Sequence, residues 1–203
     1  MDSAQRIVTC MQISMREVGL PVRSDEQIRN IIGLGLPEAF AELYPDLGKP
    51  EMEQIREYYA QHFVSNSIPP SPFFPGVQEA LSSLHEEAFT LAVATGKSRR
   101  GLNRVFNETT FSHFFSASRC ADETISKPHP QMIYELLEET GVGKDQALMV
   151  GDTEFDMAMA ERAGIDRVAV SYGVHGPDRL TKYNPVLMVD EITQLRDWLM
   201  GQA

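Results

Sequence analysis

The sequence predicts an α/β fold in which a parallel sheet with helices on both faces is joined to a small all-helical segment. Up to about residue 64, apolar residues recur at helical spacing and no convincing strand is present. After residue 76, short apolar runs alternate with helical segments, which is typical of a parallel sheet. Four prolines between residues 65 and 76 mark a connector, because proline is excluded from helix interiors and central strands.

Four helices are predicted before the connector. The first carries an apolar face, and Ser24 with Gln27 forms a capping box that opens the second. Gly33–Gly35 interrupts the second helix, Pro37 suits the first turn of a third, and the fourth covers residues 51–63. This half is therefore predicted to be all-helical.

Five strands are predicted after the connector, at residues 89–95, 115–118, 147–151, 167–171 and 186–189. Five helices accompany them, at residues 77–87, 98–107, 130–140, 154–163 and 192–200. In parallel sheets, ligands bind at the carboxyl ends of the strands. Three polar motifs lie just beyond or near such ends.

Composition narrows the class of partner. The 203 residues carry a formal net charge of -11, which disfavours nucleic acid but leaves a small anionic substrate possible. No run is apolar enough to cross a bilayer, and the two cysteines, Cys10 and Cys120, lack metal-ligand spacing. We expect a soluble cytoplasmic protein without a membrane partner.

The first motif is Ala94-Thr95-Gly96-Lys97-Ser98, at a strand end where a helix begins. A hydroxyl, a glycine and free backbone N–H groups can bind a phosphate. The alternative is an ordinary turn in which Ser98 caps the helix.

The second motif is Ser126-Lys127-Pro128-His129-Pro130. The prolines stiffen the approach to a helix, so Lys127 could be a fixed cation that balances phosphate charge. The alternative is a solvated surface lysine.

The third motif places Asp152 directly after an apolar strand and Asp156 four residues later. Carboxylate oxygens are preferred ligands of Mg²⁺. The alternative is capping of the helix N-terminus by acidic side chains.

Together these motifs resemble the second, third and fourth motifs of the haloacid dehalogenase superfamily, and most closely its phosphoglycolate phosphatase-like branch. The resemblance covers essentially the whole chain. It implies a Rossmann-like core at residues 1–4 and 71–203, with a helical cap at residues 5–70.

The resemblance also implies a role for each site residue. Thr95 and Gly96 would hold the phosphoryl group, and Lys127 would balance its charge. Asp152 would bind Mg²⁺ directly, and Asp156 would support it directly or through water. Four residues match the family's loop over the substrate: Gly33, Leu34, Gly35 and Leu36.

The family's first motif is matched only in its last three positions, by Met1-Asp2-Ser3. The resemblance therefore places the nucleophilic aspartate about six positions before Met1, on a central strand absent from this sequence. A misassigned start at Met1 or a trimmed chain would explain this, and a strand from another copy could fill the gap. Asp2 occupies a later aspartate position of the motif.

The implied function is Mg²⁺-dependent hydrolysis of a small phosphorylated metabolite through an aspartyl-phosphate, with the activity of this chain in doubt without the upstream aspartates. A phosphosugar mutase would share the same motifs. A non-catalytic phosphate- or partner-binding protein is the alternative from another class. The sequence indicates neither the substrate nor the oligomeric state.

Overall fold

The computed structural model describes residues 1–64 and 71–201, so part of the predicted connector, residues 65–70, lies outside the described residues. The chain divides into two compact units. The first unit comprises Met1–Ile32 and Leu36–Phe74, and the second comprises Gly33–Gly35 and Pro75–Ala203. Three residues from the middle of the helical half thus belong to the second unit.

Four helices form the described part of the first unit: α1 (Ala4–Val18), α2 (Asp25–Ile31), α3 (Leu36–Leu43) and α4 (Lys49–Val64). The predicted capping box is confirmed, since Ser24 accepts from the Gln27 amide and the Gln27 side chain accepts from the Ser24 amide. Gly19 ends α1 in the left-handed region with φ 77°, where glycine is favoured. Buried Met11, Met15 and Ile55 contribute to the core of this unit.

In its described residues, the second unit contains five strands: β1 (Leu91–Thr95), β2 (Phe115–Cys120), β3 (Leu148–Gly151), β4 (Asp166–Val170) and β5 (Leu187–Val189). The same residues form six α-helices: α5 (Val77–Glu86), α6 (Arg99–Thr109), α7 (Gln131–Thr140), α8 (Glu154–Ala163), α9 (Pro177–Leu180) and α10 (Ile192–Met200). Every predicted strand and helix of this half is present. The short helix α9 was not predicted.

All observed strand pairs are parallel, as predicted, but the pairing is divided into two groups. In the described part of the chain, β1 pairs with β2, and β3, β4 and β5 form a separate sheet in that order. Ala94 of β1 and Met149 of β3 nevertheless pack against one core cluster, formed by Met132, Ile133, Met159, Ala160, Ala163 and Ile165. The expectation of a further, central strand stays a prediction.

The structure describes both cysteines and the hydropathy of the helices. Cys10 and Cys120 are both buried, and neither forms a disulfide. None of the helices within residues 1–64 and 71–201 has the length and hydropathy that a membrane span requires.

Candidate functional site

A buried ion pair lies beyond the carboxyl end of β3. Lys127 Nζ is 2.5 Å from Asp156 Oδ1, and the two side chains are only 6% and 5% exposed. The solvated-lysine interpretation of the second motif is therefore wrong. Because a charge is costly to bury without a partner, each of these residues requires the other.

Asp156 also caps the helix on which it lies. Its Oδ2 accepts hydrogen bonds from Thr153 N at 3.1 Å and Thr153 Oγ1 at 2.7 Å, and Thr153 Oγ1 accepts from Asp156 N at 3.3 Å. The two residues thus form a capping box at the start of α8, so the capping interpretation of the third motif is confirmed for Asp156. A Cβ on Gly151 would lie less than 3.0 Å from Asp156, so the close approach requires glycine. Both Asp156 carboxylate oxygens therefore have protein partners.

Asp152 is held by a segment after β4 that the sequence analysis missed. Asp152 Oδ2 accepts from Val174 N at 3.0 Å, and its carbonyl accepts from His175 N at 3.1 Å. A Cβ on Gly173 would lie less than 3.0 Å from Asp152. The position of Gly173 just after a strand end was the available signal, since ligand sites form at that edge of the sheet.

The environment of Asp152 disfavours its charged form. Desolvation by burial raises the pKa of the Asp152 carboxyl above its usual range, and the negative charge of Asp156 raises it further. The hydrogen bond from Val174 and the charge of Lys127 act in the opposite direction. A cation bound beside Asp152 would offset the first two effects.

A hydrogen bond and an ion pair tie the segment after β4 to α8. His175 is buried, and its ring Nδ1 accepts a hydrogen bond from Glu154 N at 3.0 Å. Arg179 of α9 pairs with Glu154. The backbone around Asp152 is therefore fixed from both sides.

The loop between β1 and α6 carries the predicted phosphate-binding residues. Thr95 Oγ1 accepts from Lys97 N at 3.1 Å, and Lys97 O accepts from Ala121 N at 3.0 Å. Ser98 Oγ accepts from Gly101 N at 3.2 Å, which confirms that Ser98 caps α6. Thr95 and Gly96 lie before this cap, at the carboxyl end of β1.

The segment Gly33–Gly35 approaches all three motifs within the second unit. A Cβ on Gly96 would lie less than 3.0 Å from the carbonyl oxygens of Gly33 and Leu34, and one on Gly33 would lie equally close to Thr153 Oγ1. Gly35 N donates to Ser126 Oγ at 2.8 Å. The structure thus brings together three of the four predicted substrate-loop residues with Gly96, Thr153 and Ser126, while Leu36 begins α3 in the first unit.

The donor set fits a hard cation only in part. Among the described residues, no group of three His, Cys, Asp or Glu side chains is placed to hold a metal ion. Asp152 offers a carboxylate in a partly dehydrated position, whereas Asp156 already accepts from Lys127 and Thr153. Because Mg²⁺ commonly keeps several waters and takes one or two carboxylates, Asp152 meets the minimum requirement.

Comparison with known proteins agrees with this architecture. A Dickeya dadantii protein named "Probable phosphatase IndB" is 31% identical over 199 residues, which cover 96% of this chain and 86% of that protein. A phosphoglycolate phosphatase of Aliivibrio fischeri is 28% identical over 203 residues, covering 96% of this chain and 89% of its own length. The similarity therefore extends across both units.

The fold is also found in solved structures. A hydrolase from Pseudomonas syringae superposes with a TM-score of 0.87 at 19% identity, covering 100% of this chain and 94% of that one. Residues 1–170 match the family described as "Haloacid dehalogenase-like hydrolase". The chain therefore belongs to the haloacid dehalogenase-like hydrolase family.

Proposed function

We propose that this protein acts on a small phosphorylated metabolite as a Mg²⁺-dependent phosphate monoester hydrolase. The observation that carries the proposal is the convergence of three motifs on Gly33–Gly35, with the buried Lys127 among them. The names of two relatives, a phosphatase and a phosphoglycolate phosphatase, support the same reaction class.

In this proposal the phosphoryl group lies between the β1–α6 loop and Lys127. The Thr95 hydroxyl and the Gly96 amide donate to phosphoryl oxygens, and the Lys127 ammonium balances their charge. Lys127 suits this role because Asp156 holds its Nζ in place, so little reorganisation accompanies binding.

Asp152 is the proposed direct ligand of Mg²⁺. Asp156 acts through its contacts with Lys127 and Thr153, or supports the metal through water. When bound, Mg²⁺ supplies positive charge that stabilises the developing charge on the phosphoryl oxygens. The donor set around Asp152 supports this assignment without a third protein carboxylate.

Hydrolysis also needs a nucleophile, and neither Asp152 nor Asp156 is suited to that role. Asp156 has both oxygens engaged, and Asp152 is disposed to bind the metal. We propose that an aspartate, on the segment that the family resemblance places before Met1, attacks phosphorus as the P–O bond to the substrate's alcohol breaks and the alcohol departs. Water then hydrolyses the aspartyl-phosphate, which restores the aspartate and releases phosphate. The Gly33–Gly35 segment of the second unit would cover the substrate and restrict its leaving group.

The test is phosphate release from an aryl phosphate in the presence of Mg²⁺. This chain is compared with a version extended upstream to the next in-frame start. We expect turnover only in the extended protein, and product analysis with phosphosugars separates hydrolysis from a mutase reaction. Activity of the shorter chain would contradict the assignment of the nucleophile.

A non-catalytic phosphate-binding protein is the second candidate, favoured by the engagement of both site carboxylates with other groups. It predicts that both versions bind inorganic phosphate, followed by ³¹P NMR, while neither releases phosphate from the ester. Turnover by the extended protein would exclude this candidate.

A further inference from the structure

The side chain of Arg99, the first residue of α6, bridges the phosphate loop and the end of β2. Its Nε and Nη2 each donate to a different carboxylate oxygen of Glu123 at 2.7 Å, which forms a bidentate pair. Its Nη1 donates to Ser118 Oγ at 2.9 Å, and Nη2 also donates to Ser118 O at 3.1 Å. The planar guanidinium is therefore held by two partners in a single orientation.

These contacts act on the backbone next to the predicted phosphate cradle. Arg99 N donates to Asp122 Oδ1 at 2.8 Å, and Lys97 O accepts from Ala121 N at 3.0 Å. Thr95 pairs with Cys120 in the parallel ladder. The loop is thus tied to β2 and the following turn at Thr95, Lys97 and Arg99.

Glu123 connects both sides of this arrangement. Its Oε2 accepts from Cys120 N at 3.0 Å as well as from Arg99, so one carboxylate joins the strand end to the helix start. The hydrogen bonds that Arg99 donates to Glu123 lower the pKa of the Glu123 carboxyl and raise the pKa of the Arg99 guanidinium. Both pKa shifts favour the charged forms of the two side chains.

We propose that Arg99 and Glu123 are positioning residues, which hold the Thr95–Ser98 loop in the geometry that binds phosphate. This inference rests on the proposed function, because it assumes that the loop is the phosphate cradle. Neither residue is assigned contact with the phosphate. They act through the backbone amides and the Thr95 hydroxyl, whose placement decides how well the donors fit the anion.

A neighbouring ion pair offers a matched control. Arg119 Nε lies 2.8 Å from Glu135, with side chains 25% and 28% exposed, against 31% and 34% for Arg99 and Glu123. Arg119 lies in β2, and Arg99 contacts Ser118 of the same strand. Glu135 accepts from Arg119, Thr124 and Gln131, and none of these residues belongs to the phosphate loop, so Glu135→Gln measures the loss of an ion pair outside that loop.

The experiment compares Glu123→Gln with Glu135→Gln in the full chain, using inorganic phosphate with Mg²⁺ and ³¹P NMR or calorimetry. We expect the phosphate Kd to rise about threefold to tenfold in Glu123→Gln and to change less than about twofold in Glu135→Gln, as expected for a displaced donor set. Both variants should lower the thermal midpoint only modestly, because both ion pairs are partly exposed.

The direction of the change in phosphate affinity distinguishes positioning from a simple electrostatic effect of the removed charge. Glu123→Gln removes a negative charge near an anion site, so a field effect alone would tighten phosphate binding. Weaker binding therefore supports positioning, and equal or tighter binding overturns it. A second variant, Arg99→Lys, keeps the charge but loses the bidentate geometry; we expect it to weaken binding as well, and wild-type affinity would overturn the inference.

Failure of the proposed function gives a different result. If the wild-type chain binds no phosphate, the cradle assignment falls and the positioning inference falls with it. If the wild type binds phosphate and the Glu123 and Glu135 variants behave alike, only the positioning inference is overturned.

Discussion

The loops after β1 and β3 have the same local design but different support. Each follows a parallel strand, and each begins its helix with a hydroxyl cap, Ser98 for α6 and Thr153 for α8. The β3 loop is held by a buried ion pair between Asp156 and Lys127, whereas the Arg99–Glu123 pair of the β1 loop is about one-third exposed.

The difference in burial between the two ion pairs indicates how strongly each loop depends on its pair. Removing one partner of a buried pair leaves an uncompensated charge in a dehydrated place, whereas exposed partners are readily solvated. The β3 loop should therefore tolerate little change without loss of the fold. The β1 loop should lose binding geometry before it loses stability.

The largest expected effect is that of Lys127→Met. It leaves Asp156 buried without its cation, so the free energy of unfolding should fall by about 3–5 kcal/mol. Urea unfolding measures this as a lower midpoint at an unchanged m-value. The double variant Lys127→Met with Asp156→Asn removes the stranded charge and should regain part of the loss. A loss below about 1 kcal/mol would place the pair in the same class as surface ion pairs.

A smaller effect is expected for Gly173→Ala. The added Cβ would lie less than 3.0 Å from Asp152, whose backbone and carboxylate are both bonded to this segment. Overpacking of this kind costs about 1–3 kcal/mol, and the displaced Asp152 should weaken the rise in melting temperature that Mg²⁺ produces. Gly176→Ala in the same loop meets nothing within 4 Å and should change stability by less than about 0.5 kcal/mol. Equal melting temperatures for the two variants would contradict the steric argument.

The smallest effect, with opposite sign, is expected for Asp152→Asn. Since the pKa of Asp152 is raised in the folded protein, its protonation stabilises the fold at low pH. That contribution disappears as the pH rises through the raised value, so above that value the charged wild type, without metal, is less stable than a protein with a neutral side chain at this position. In that pH range the variant should melt at a higher temperature than the metal-free wild type, and it should lose the response to Mg²⁺ in thermal scans. A destabilised variant that still responds to Mg²⁺ would count against both assignments.

Predictions that depended on local signals agree well with the structure. The predicted ranges of α8 and α10 match residue for residue, because capping residues and apolar spacing act within a few positions of the chain. The strand β2 was predicted to end at Ser118 but continues to Cys120. Its polar extension is paired with Ala94 and Thr95 of β1, a contact between distant residues that periodicity does not contain.

The individual residues of the candidate site were predicted from the sequence, but the contacts between them were not. The sequence by itself determined which side chains stand at the strand ends, because strand and helix periods and helix caps are local properties. Only the tertiary structure decided that Lys127 meets Asp156, that Gly173 packs on Asp152 and that Arg99 bridges to Glu123. These pairs are separated by about 20 or more residues, and the fold alone brings them to contact distance, where burial and charge set their strength.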